Sequence, residues 1–411
     1  MSGIVLQSIK WLVIERGGQI LIALLLNSIL ARHLGVENFG ALQAALSTVA
    51  VFSSAALVCG AELILPIYGE DQKKYKNIFS EAFLARLLFQ AMAFVFCIIF
   101  IFKTQSDNIF LYVTLAFIVI LVEPANVFAI YFQFWSQQKW LSLLKIVAVF
   151  LKMAIIFLLI FFNLSLENFG IAYLCEAMLI AFGLMLMYRM KGLQLAAMPK
   201  NFLIKQIFSN GLLFGLGIFF MIFFQNMDRL ALDYFNMKVE LGLYSAAAQI
   251  AGNWYGVVNL IIQSISGRLV YSKPEVEANK MILRMAVLGL LIAILATFFA
   301  YVLGPIFIKS FFGSSYEKSA DYLIWMVGIS SLVFSDAIFS MKMIKARKSF
   351  DFTVKWFLAA VFALFYTLVC NYYSFKYNPI IGLMIGYFVA AMFALIHFFI
   401  GVRREENTNN M

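Results

Sequence analysis

The 411-residue chain is 64% hydrophobic and only 13% charged, and its 31 Lys and Arg residues against 21 Asp and Glu residues give a formal net charge of +10. A soluble domain is about half apolar and about a quarter charged, so water is excluded as the main solvent of this protein. Spanning helices of roughly 20 residues would use most of the length, which excludes a sizeable soluble domain.

Apolar windows bounded by polar clusters predict about twelve spanning helices. In chain order they lie near residues 9–30, 41–67, 79–102, 109–134, 141–162, 169–188, 208–232, 242–266, 283–303, 320–341, 352–371 and 379–401. These runs lack period-2 alternation, which favours helices over a β-barrel. The first run carries Glu15 and Arg16 and no convincing cleavage site follows it, so we expect a retained helix instead of a signal peptide.

The loop charges predict the orientation of these helices. With a cytoplasmic N-terminus, the loops inside would carry nineteen Lys and Arg residues and the loops outside only six. Basic residues accumulate on the cytoplasmic side of membrane proteins, so both termini are expected there. The basic loops also account for the net positive charge, because they would lie beside an anionic lipid leaflet. No nucleic-acid partner is therefore expected.

A long basic and amphipathic connection divides the chain near its middle, at residues 189–207. We interpret it as a cytoplasmic linker between a six-helix lobe at 1–188 and a second at 208–401, followed by a tail at 402–411. An internal repeat supports this division, because HLGVENFGALQAALS and FNMKVELGLYSAAAQ align at an offset of 202 residues, with Gly40 on Gly242 and Ala44 on Ala246. Two six-helix repeats are typical of transporters.

The first helix with its buried Arg16, the stretch LARHLGVENFGAL and its later counterpart VELGLYSAAAQI resemble the polysaccharide flippase family called Wzx. That family belongs to the multidrug, oligosaccharidyl-lipid and polysaccharide exporter superfamily. The resemblance implies a V-shaped bundle of two six-helix lobes that opens alternately to either side of the bacterial inner membrane. Its cargo would be an undecaprenyl-diphosphate-linked oligosaccharide. Lipid II flippases of the superfamily usually carry two additional helices, and none is found after Arg404, which favours the O-antigen or capsule branch.

Charged residues within the predicted helices are the candidate cargo ligands, because a charge at mid-bilayer normally faces a partner or a water-filled cavity. Nine such charges fall in the first half and five in the second, which predicts a polar cavity mainly against the N-terminal lobe. Fixed cations replace lost hydration of a diphosphate, and the candidates are Arg16, Arg86, Lys145 and Lys152. The alternatives are structural pairs with carboxylates for the two arginines, and for Lys145 a position at the cytoplasmic surface.

Carboxylates in the helices are the candidate ion-coupling or counter-ion groups. Glu123 precedes Pro124, which frees a backbone carbonyl, so this pair could form a proton or sodium site at a hinge. Alternatively, Glu123 only neutralises a cation such as Lys152. Weaker coupling candidates are Glu62, Asp228 and Asp336, and Arg229 in QNMDR is a candidate gate residue.

Several other function classes are disfavoured. The two histidines, His33 and His397, stand far apart without a cysteine or carboxylate cluster, so no metal site is expected. No P-loop or Rossmann motif occurs, and neither an organic cofactor nor enzymatic activity is expected. The main alternative is a multidrug or small-molecule cation antiporter of the same superfamily. A glycan polymerase or ligase would need a larger outer loop than the sixteen residues at 304–319.

The expected partners follow from the resemblance. They are the lipid-linked oligosaccharide, membrane lipids, and polymerase or assembly proteins of polysaccharide synthesis, with H⁺ or Na⁺ as the coupling ion. We expect a monomer in the inner membrane.

Overall fold

A computed structural model of the protein describes residues 3–104, 107–195, 197–346 and 348–409. Within these ranges, side chains are described except at residues 3–17, 19, 21, 56, 58, 62, 210, 263–265, 267–268 and 404–409. The described backbone is helical almost throughout and contains no β-strand, which confirms the all-α prediction.

Thirteen α-helices follow one another in the described ranges. They are α1 (Gly3–Ser53), α2 (Ala61–Glu70), α3 (Ile78–Thr104), α4 (Ile109–Phe134), α5 (Gln138–Phe161), α6 (Phe169–Arg189), α7 (Asn201–Gln206), α8 (Leu212–Tyr234), α9 (Lys238–Ser266), α10 (Glu275–Phe312), α11 (Ser319–Lys345), α12 (Ser349–Tyr372) and α13 (Pro379–Asn409). Among the described residues, nine helices are long and apolar enough to cross a membrane, namely α3 to α6, α8 and α10 to α13. The multi-pass architecture is therefore confirmed.

The first two predicted spans differ from the observed helices. The range Gly3–Ser53 of α1 consists of two helical segments that meet at Gly35, where φ is 75° and ψ is 174°. The spans predicted at 9–30 and 41–67 are also separated in this region, but the second observed segment begins directly after Gly35 and ends at Ser53. Because L side chains rarely adopt this conformation, glycine is the residue that permits the bend. The tight connection expected between the two spans is thus a single non-helical glycine between two helical segments.

The second predicted span is broken between Ser54 and Gly60. A 3₁₀ turn covers Ser54–Cys59, and the extended backbone of Gly60 precedes α2. A broken helix frees carbonyl groups that need partners within a bilayer. Two polar side chains of α3 supply them, because the Nε atoms of Arg86 and Gln90 donate to the carbonyls of Cys59 at 3.0 Å and Ser53 at 2.8 Å.

Helix α10 is longer than the predicted span at 283–303. It begins after Pro274, carries Glu275 and Glu277 in its first turn, and ends at Gly313, where φ is 96°. Acidic residues in the first turn are stabilised by the helix dipole, and a glycine with positive φ ends a helix readily. These polar ends extend the helix beyond its apolar window.

The chain forms two compact units, which are described separately. Unit 1 comprises Met1–Asn27 and Ala44–Ile222, and unit 2 comprises Ser28–Gln43 and Phe223–Met411. The limits predicted for the lobes, at 188 and 208, stay predictions.

Aromatic rings form the centre of unit 1. The Phe128 and Tyr188 rings stack with centroids 4.3 Å apart, and Tyr68 lies edge-on to Phe79 at 4.8 Å. The connection at 189–207 packs on the first turn of α3, where the backbone N–H of Lys200 donates to Glu81 at 3.2 Å. This connection is therefore held against its own unit by hydrogen bonds as well as by apolar contact.

In unit 2, residues 28–43 of α1 pack against the end of α10 and the turn that follows it. The Arg32 guanidinium donates to the carbonyl of Phe311 at 2.8 Å and to that of Ser310. The hydroxyl of Tyr316 donates to the Ala31 carbonyl at 3.0 Å. The bonds from Arg32 satisfy carbonyls at the C-terminus of α10, which have no partner within the helix. Burial raises the pKa of the Tyr316 phenol, so this donor stays protonated.

Candidate functional site

Two of the candidate residues from the sequence lie outside the described side chains. These are Arg16 and Glu62, for which the structure gives only helical backbone. The remaining candidates fall into four groups, two in each unit.

The first group joins Arg86 of α3 to Glu123 of α4. The Arg86 side chain is only 3% exposed, and its guanidinium lies 3.9 Å from the Glu123 carboxylate. It also donates to the backbone carbonyl of Glu123 at 3.0 Å, in addition to the Cys59 carbonyl described above. That Glu123 carbonyl lies next to Pro124, whose ring lacks an N–H. The bonds from Arg86 therefore connect the break after α1 to α4 at the residue before Pro124.

The carboxylate of Glu123 has a second neighbour on its own helix. The Asn126 side-chain amide donates to Glu123 at 3.3 Å. The carboxylate is 22% exposed. A carboxylate shared between a guanidinium and an amide can serve as a counter-ion and as a coupling group.

The second group joins Lys152 of α5 to Glu176 of α6. The ammonium lies 2.7 Å from the carboxylate, with side-chain exposures of 14% and 18%, and 5.1 Å from the centre of the Tyr173 ring. Lys145, two turns earlier on α5, is half-buried and has an interaction of its own. In this structure the Lys152 ammonium of the predicted basic track is thus neutralised by Glu176.

The third group surrounds Asp228 of α8, which is 2% exposed. The hydroxyls of Tyr244 and Tyr377 donate to its two carboxylate oxygens at 2.8 Å and 3.0 Å. Tyr377 lies in the loop before α13. Burial is the main cause that raises the pKa of its phenol, and the nearby Asp228 charge raises it further. The phenol therefore remains protonated and can donate. The Nε atom of the adjacent Arg229 is buried and has no hydrogen-bond partner among the described residues. The hydrogen bonds described for the Asp228 carboxylate thus come from two phenols.

A cavity of about 1090 Å³ opens beside the Asp228 group, at the first turns of α9, α11 and α13. Its lining includes Tyr322, Trp325, the acidic Glu240, Glu317 and Asp321, and the basic Lys318 and Lys376. The Tyr322 ring lies edge-on to Tyr244, with centroids 5.8 Å apart. A cavity with side chains of both charges therefore lies one aromatic ring away from the buried carboxylate.

The fourth group joins Asp336 of α11 to Lys355 of α12. The ammonium lies 2.6 Å from the carboxylate and 2.8 Å from the Ser340 hydroxyl, and the Lys355 side chain is 1% exposed. It also lies 4.5 Å from the centre of the Trp356 ring. A pair this deeply buried is held by mutual neutralisation and by its extra hydrogen bond.

The structure therefore brings the candidate residues together in separate pairs. Sequence reasoning did not identify Glu176, Lys355, Tyr244 and Tyr377 as site residues. Glu176 and Lys355 could have been recognised from the sequence, because they are charged residues within apolar runs. The two tyrosines carried none, because the chain has eighteen tyrosines and interface belts account for many of them.

A sequence profile described as "Polysaccharide biosynthesis protein" matches residues 5–266. The chain belongs to the polysaccharide biosynthesis protein family. This match covers α1 from residue 5 through the end of α9 and includes the Arg86 and Lys152 groups, and it agrees with the resemblance stated from the sequence. Among curated proteins, no match is found for this family member.

Solved structures establish the fold of this polysaccharide biosynthesis family member. The lipid II flippase MurJ in an inward closed conformation superimposes with a TM-score of 0.65 at 14% identity, over 95% of this chain and 87% of that one. An inward-facing multidrug resistance MATE family transporter of the MOP superfamily gives 0.59 at 13% identity, over 96% of both chains. A MOP superfamily transporter from Pyrococcus furiosus gives 0.60 at 13% identity, over 98% of both. At these identities the likeness shows a shared fold.

Proposed function

We propose that the protein is a flippase that moves an undecaprenyl-diphosphate-linked oligosaccharide, an O-antigen or capsule repeat unit, from the cytoplasmic to the periplasmic leaflet of the inner membrane. Membership in the polysaccharide biosynthesis family carries this proposal. The fold shared with a protein described as a lipid II flippase supports it. Catalysis is not part of the proposed role.

The buried cations would attract the diphosphate of the cargo. A diphosphate that leaves water loses hydration, and guanidinium or ammonium groups that are already in place compensate for part of that loss. Arg86 and Lys152 are held by carboxylates in this structure. We propose that the phosphates compete with these carboxylates, and that Arg16 and Lys145 add charge along the same route.

The buried carboxylates would supply the coupling to a H⁺ or Na⁺ gradient under alternating access. Asp228 is the first choice, since two phenols donate to its carboxylate and a cavity that contains the carboxylates of Glu240, Glu317 and Asp321 lies beside it. Glu123 is the second choice because it is partly exposed. The Asp336 carboxylate forms an ion pair with Lys355, which favours a structural role for Asp336.

A multidrug or cation antiporter is the second candidate, because MATE transporters have the same fold. The two candidates differ in their cargo. A strain that lacks the protein should accumulate lipid-linked repeat units on the cytoplasmic face if the flippase proposal holds. Unchanged pools of these units together with greater sensitivity to cationic drugs would favour the antiporter.

Purified protein offers the direct test. Proteoliposomes with a labelled lipid-linked oligosaccharide in both leaflets should expose the label to an external glycosidase faster than protein-free liposomes do. A matched pair of variants adds the residue-level test, with Arg86→Ala slowing the exposure and the exposed Lys103→Ala leaving it unchanged. Equal rates with and without the wild-type protein would contradict the proposal.

A further inference from the structure

The cavity beside the Asp228 group is lined by residues of unit 2 alone. Three segments build it, namely the start of α9, the turn before α11 with the first turns of α11, and the loop that leads into the start of α13. With the orientation predicted from the loop charges, the loops before these three helices all lie outside. We therefore expect the cavity to lie at the outer end of unit 2.

The connection between α12 and α13 indicates the depth of the cavity in the membrane. It supplies Lys376 and Asn378 to the lining. Just before them, Tyr372, Tyr373 and Phe375 are 81%, 61% and 62% exposed. Exposed aromatic side chains concentrate at the boundary between the apolar layer and water. The sugars of a lipid-linked oligosaccharide lie at this boundary too, because its polyprenyl chain is confined to the apolar layer.

Helix α11 lines the cavity with aromatic rings and a carboxylate. Tyr322 and Trp325 both belong to the lining, and Trp325 is 64% exposed. Asp321 lies one turn before Trp325, so the indole ring and the carboxylate share one face of the helix. A sugar ring presents C–H groups on its faces and hydroxyl groups at its edge. An aromatic face beside a carboxylate therefore matches both parts of a sugar.

The charged groups of the lining are only partly paired with one another. The Lys376 ammonium lies 3.6 Å from the Glu240 carboxylate. For the side chains of Glu317, Lys318 and Asp321, no hydrogen bond or ion pair occurs within the part of the chain that the structure describes. These three offer acceptors and donors to hydroxyl groups, which can both donate and accept. With three acidic and two basic side chains, the lining is net negative, which disfavours a phosphate.

The volume of the cavity favours an extended ligand over a single ion. Ligand pockets usually enclose about 300–1,000 Å³, and this cavity encloses about 1090 Å³. Among the described residues, no group of three or more His, Cys, Asp or Glu side chains could hold a metal ion. The size and the mixed chemistry of the lining therefore both match an oligosaccharide.

We infer that this outer cavity is a saccharide-binding site, in which Trp325 stacks on a sugar ring and Asp321 accepts hydrogen bonds from its hydroxyl groups. The assignment of the ligand as the sugar part of the cargo rests on the proposed flippase function. Because the cavity lies at the outer end of unit 2, it would hold the sugars on the side to which the cargo is delivered. The net negative lining would keep the diphosphate out of the site.

The test measures binding of a free oligosaccharide to the detergent-solubilised full-length protein by isothermal titration calorimetry. The probe is the oligosaccharide that mild acid releases, without lipid or diphosphate, from the lipid-linked repeat units of the source organism. Trp325→Ala removes the ring, Trp325→Phe keeps an aromatic face, and Asp321→Asn removes the charge at the same size. Trp140→Ala is the matched control, because Trp140 of α5 is also an exposed tryptophan, at 57%, and lies in unit 1.

Trp325→Ala and Asp321→Asn should each raise the Kd about tenfold, and Trp325→Phe should raise it less than about threefold because an aromatic face remains. Trp140→Ala should bind as the wild type does, and inorganic pyrophosphate should not displace the oligosaccharide. Absence of binding by the wild type, or displacement by pyrophosphate, would overturn the inference. An unchanged Kd in Trp325→Ala would overturn it as well and leave Trp325 as an ordinary residue of the membrane interface.

The flipping assay on the wild-type protein separates this inference from the proposed function. A protein that flips the lipid-linked oligosaccharide but does not bind the free one keeps the proposed function and loses the saccharide site. A protein that binds the free oligosaccharide through Trp325 but flips nothing keeps the saccharide site and loses the proposed function.

Discussion

Gly40 and Gly242 lie backbone against backbone in unit 2. A Cβ atom at Gly40 would lie 2.8 Å from the amide nitrogen of Gly242 and 2.9 Å from the carbonyl oxygen of Lys238, and one at Gly242 would overlap the Val36 carbonyl. These are the two glycines that the internal repeat aligns at an offset of 202 residues. The equivalent positions of the two copies thus form a direct contact.

The change Gly242→Ala should therefore destabilise the protein. The new methyl group has no room and forces backbone to move, which costs about 1–3 kcal/mol. The measurement is the thermal unfolding midpoint of the detergent-solubilised protein. Gly252→Ala is the matched control, because it adds the same methyl group on the same helix in open space. Equal midpoints for the two variants would show that the close approach does not exist in solution.

Removal of Lys355 should destabilise the protein more than removal of the whole pair. Lys355→Met leaves the Asp336 carboxylate buried without its cation, which costs about 3–5 kcal/mol. The double variant Lys355→Met with Asp336→Leu should recover most of that loss, because no unpaired charge remains. Chemical unfolding of the three proteins measures the difference. A double variant less stable than the single one would mean that the pair contributes net stability.

The Asp228 group should respond to loss of its phenol donors. Tyr377→Phe removes a hydrogen bond to a carboxylate, worth about 1.5–3 kcal/mol, and should change the dependence of flipping on the H⁺ or Na⁺ gradient. Asp228→Asn should abolish that dependence. Tyr234→Phe is the control, since Tyr234 is 69% exposed at the end of α8, the helix that carries Asp228. An unchanged gradient dependence in Asp228→Asn would exclude this carboxylate as the coupling group.

Lys152 and Glu176 should have opposite effects on transport. If the ammonium binds the cargo phosphates, Lys152→Gln slows flipping about tenfold. Glu176→Gln removes the competing carboxylate and should leave the rate unchanged or faster. Initial flipping rates at low cargo concentration distinguish the effects of the two variants. Similar losses in both variants would indicate that the pair only holds α5 against α6.

The sequence predicted the helices well where each begins and ends at polar residues. The predicted and observed limits of α4 are both 109–134, because Asp107 and Asn108 precede it and the polar stretch after Trp135 ends it. The break at 54–60 could not be predicted, since VFSSAALVCGA is almost continuously apolar. Its stability comes from Arg86 and Gln90, which lie more than twenty-five residues away in the chain.

The candidate site was predictable in its charges but not in its pairings. Buried Lys, Arg, Asp and Glu are conspicuous in apolar runs, and Arg86, Lys152, Asp228 and Asp336 are all at least partly buried. Their partners depend on which helices are neighbours. Tyr377 is 149 residues from Asp228, and no local pattern connects the two. Partner choice is a property of the assembled helices.

The segment at 28–43 has a consequence for biosynthesis. It is made early, yet the groups that it contacts in unit 2, such as Phe311 and Tyr316, follow more than 270 residues later. The ribosome must therefore deliver most of the polypeptide before this part of α1 finds its permanent neighbours. A fragment that starts at residue 223 would lack the segment altogether and leave the Phe312 and Tyr316 rings without Phe39, 6.4 Å and 6.1 Å away in the intact protein. Any split or truncated version of the protein has to supply residues 28–43 to the second half.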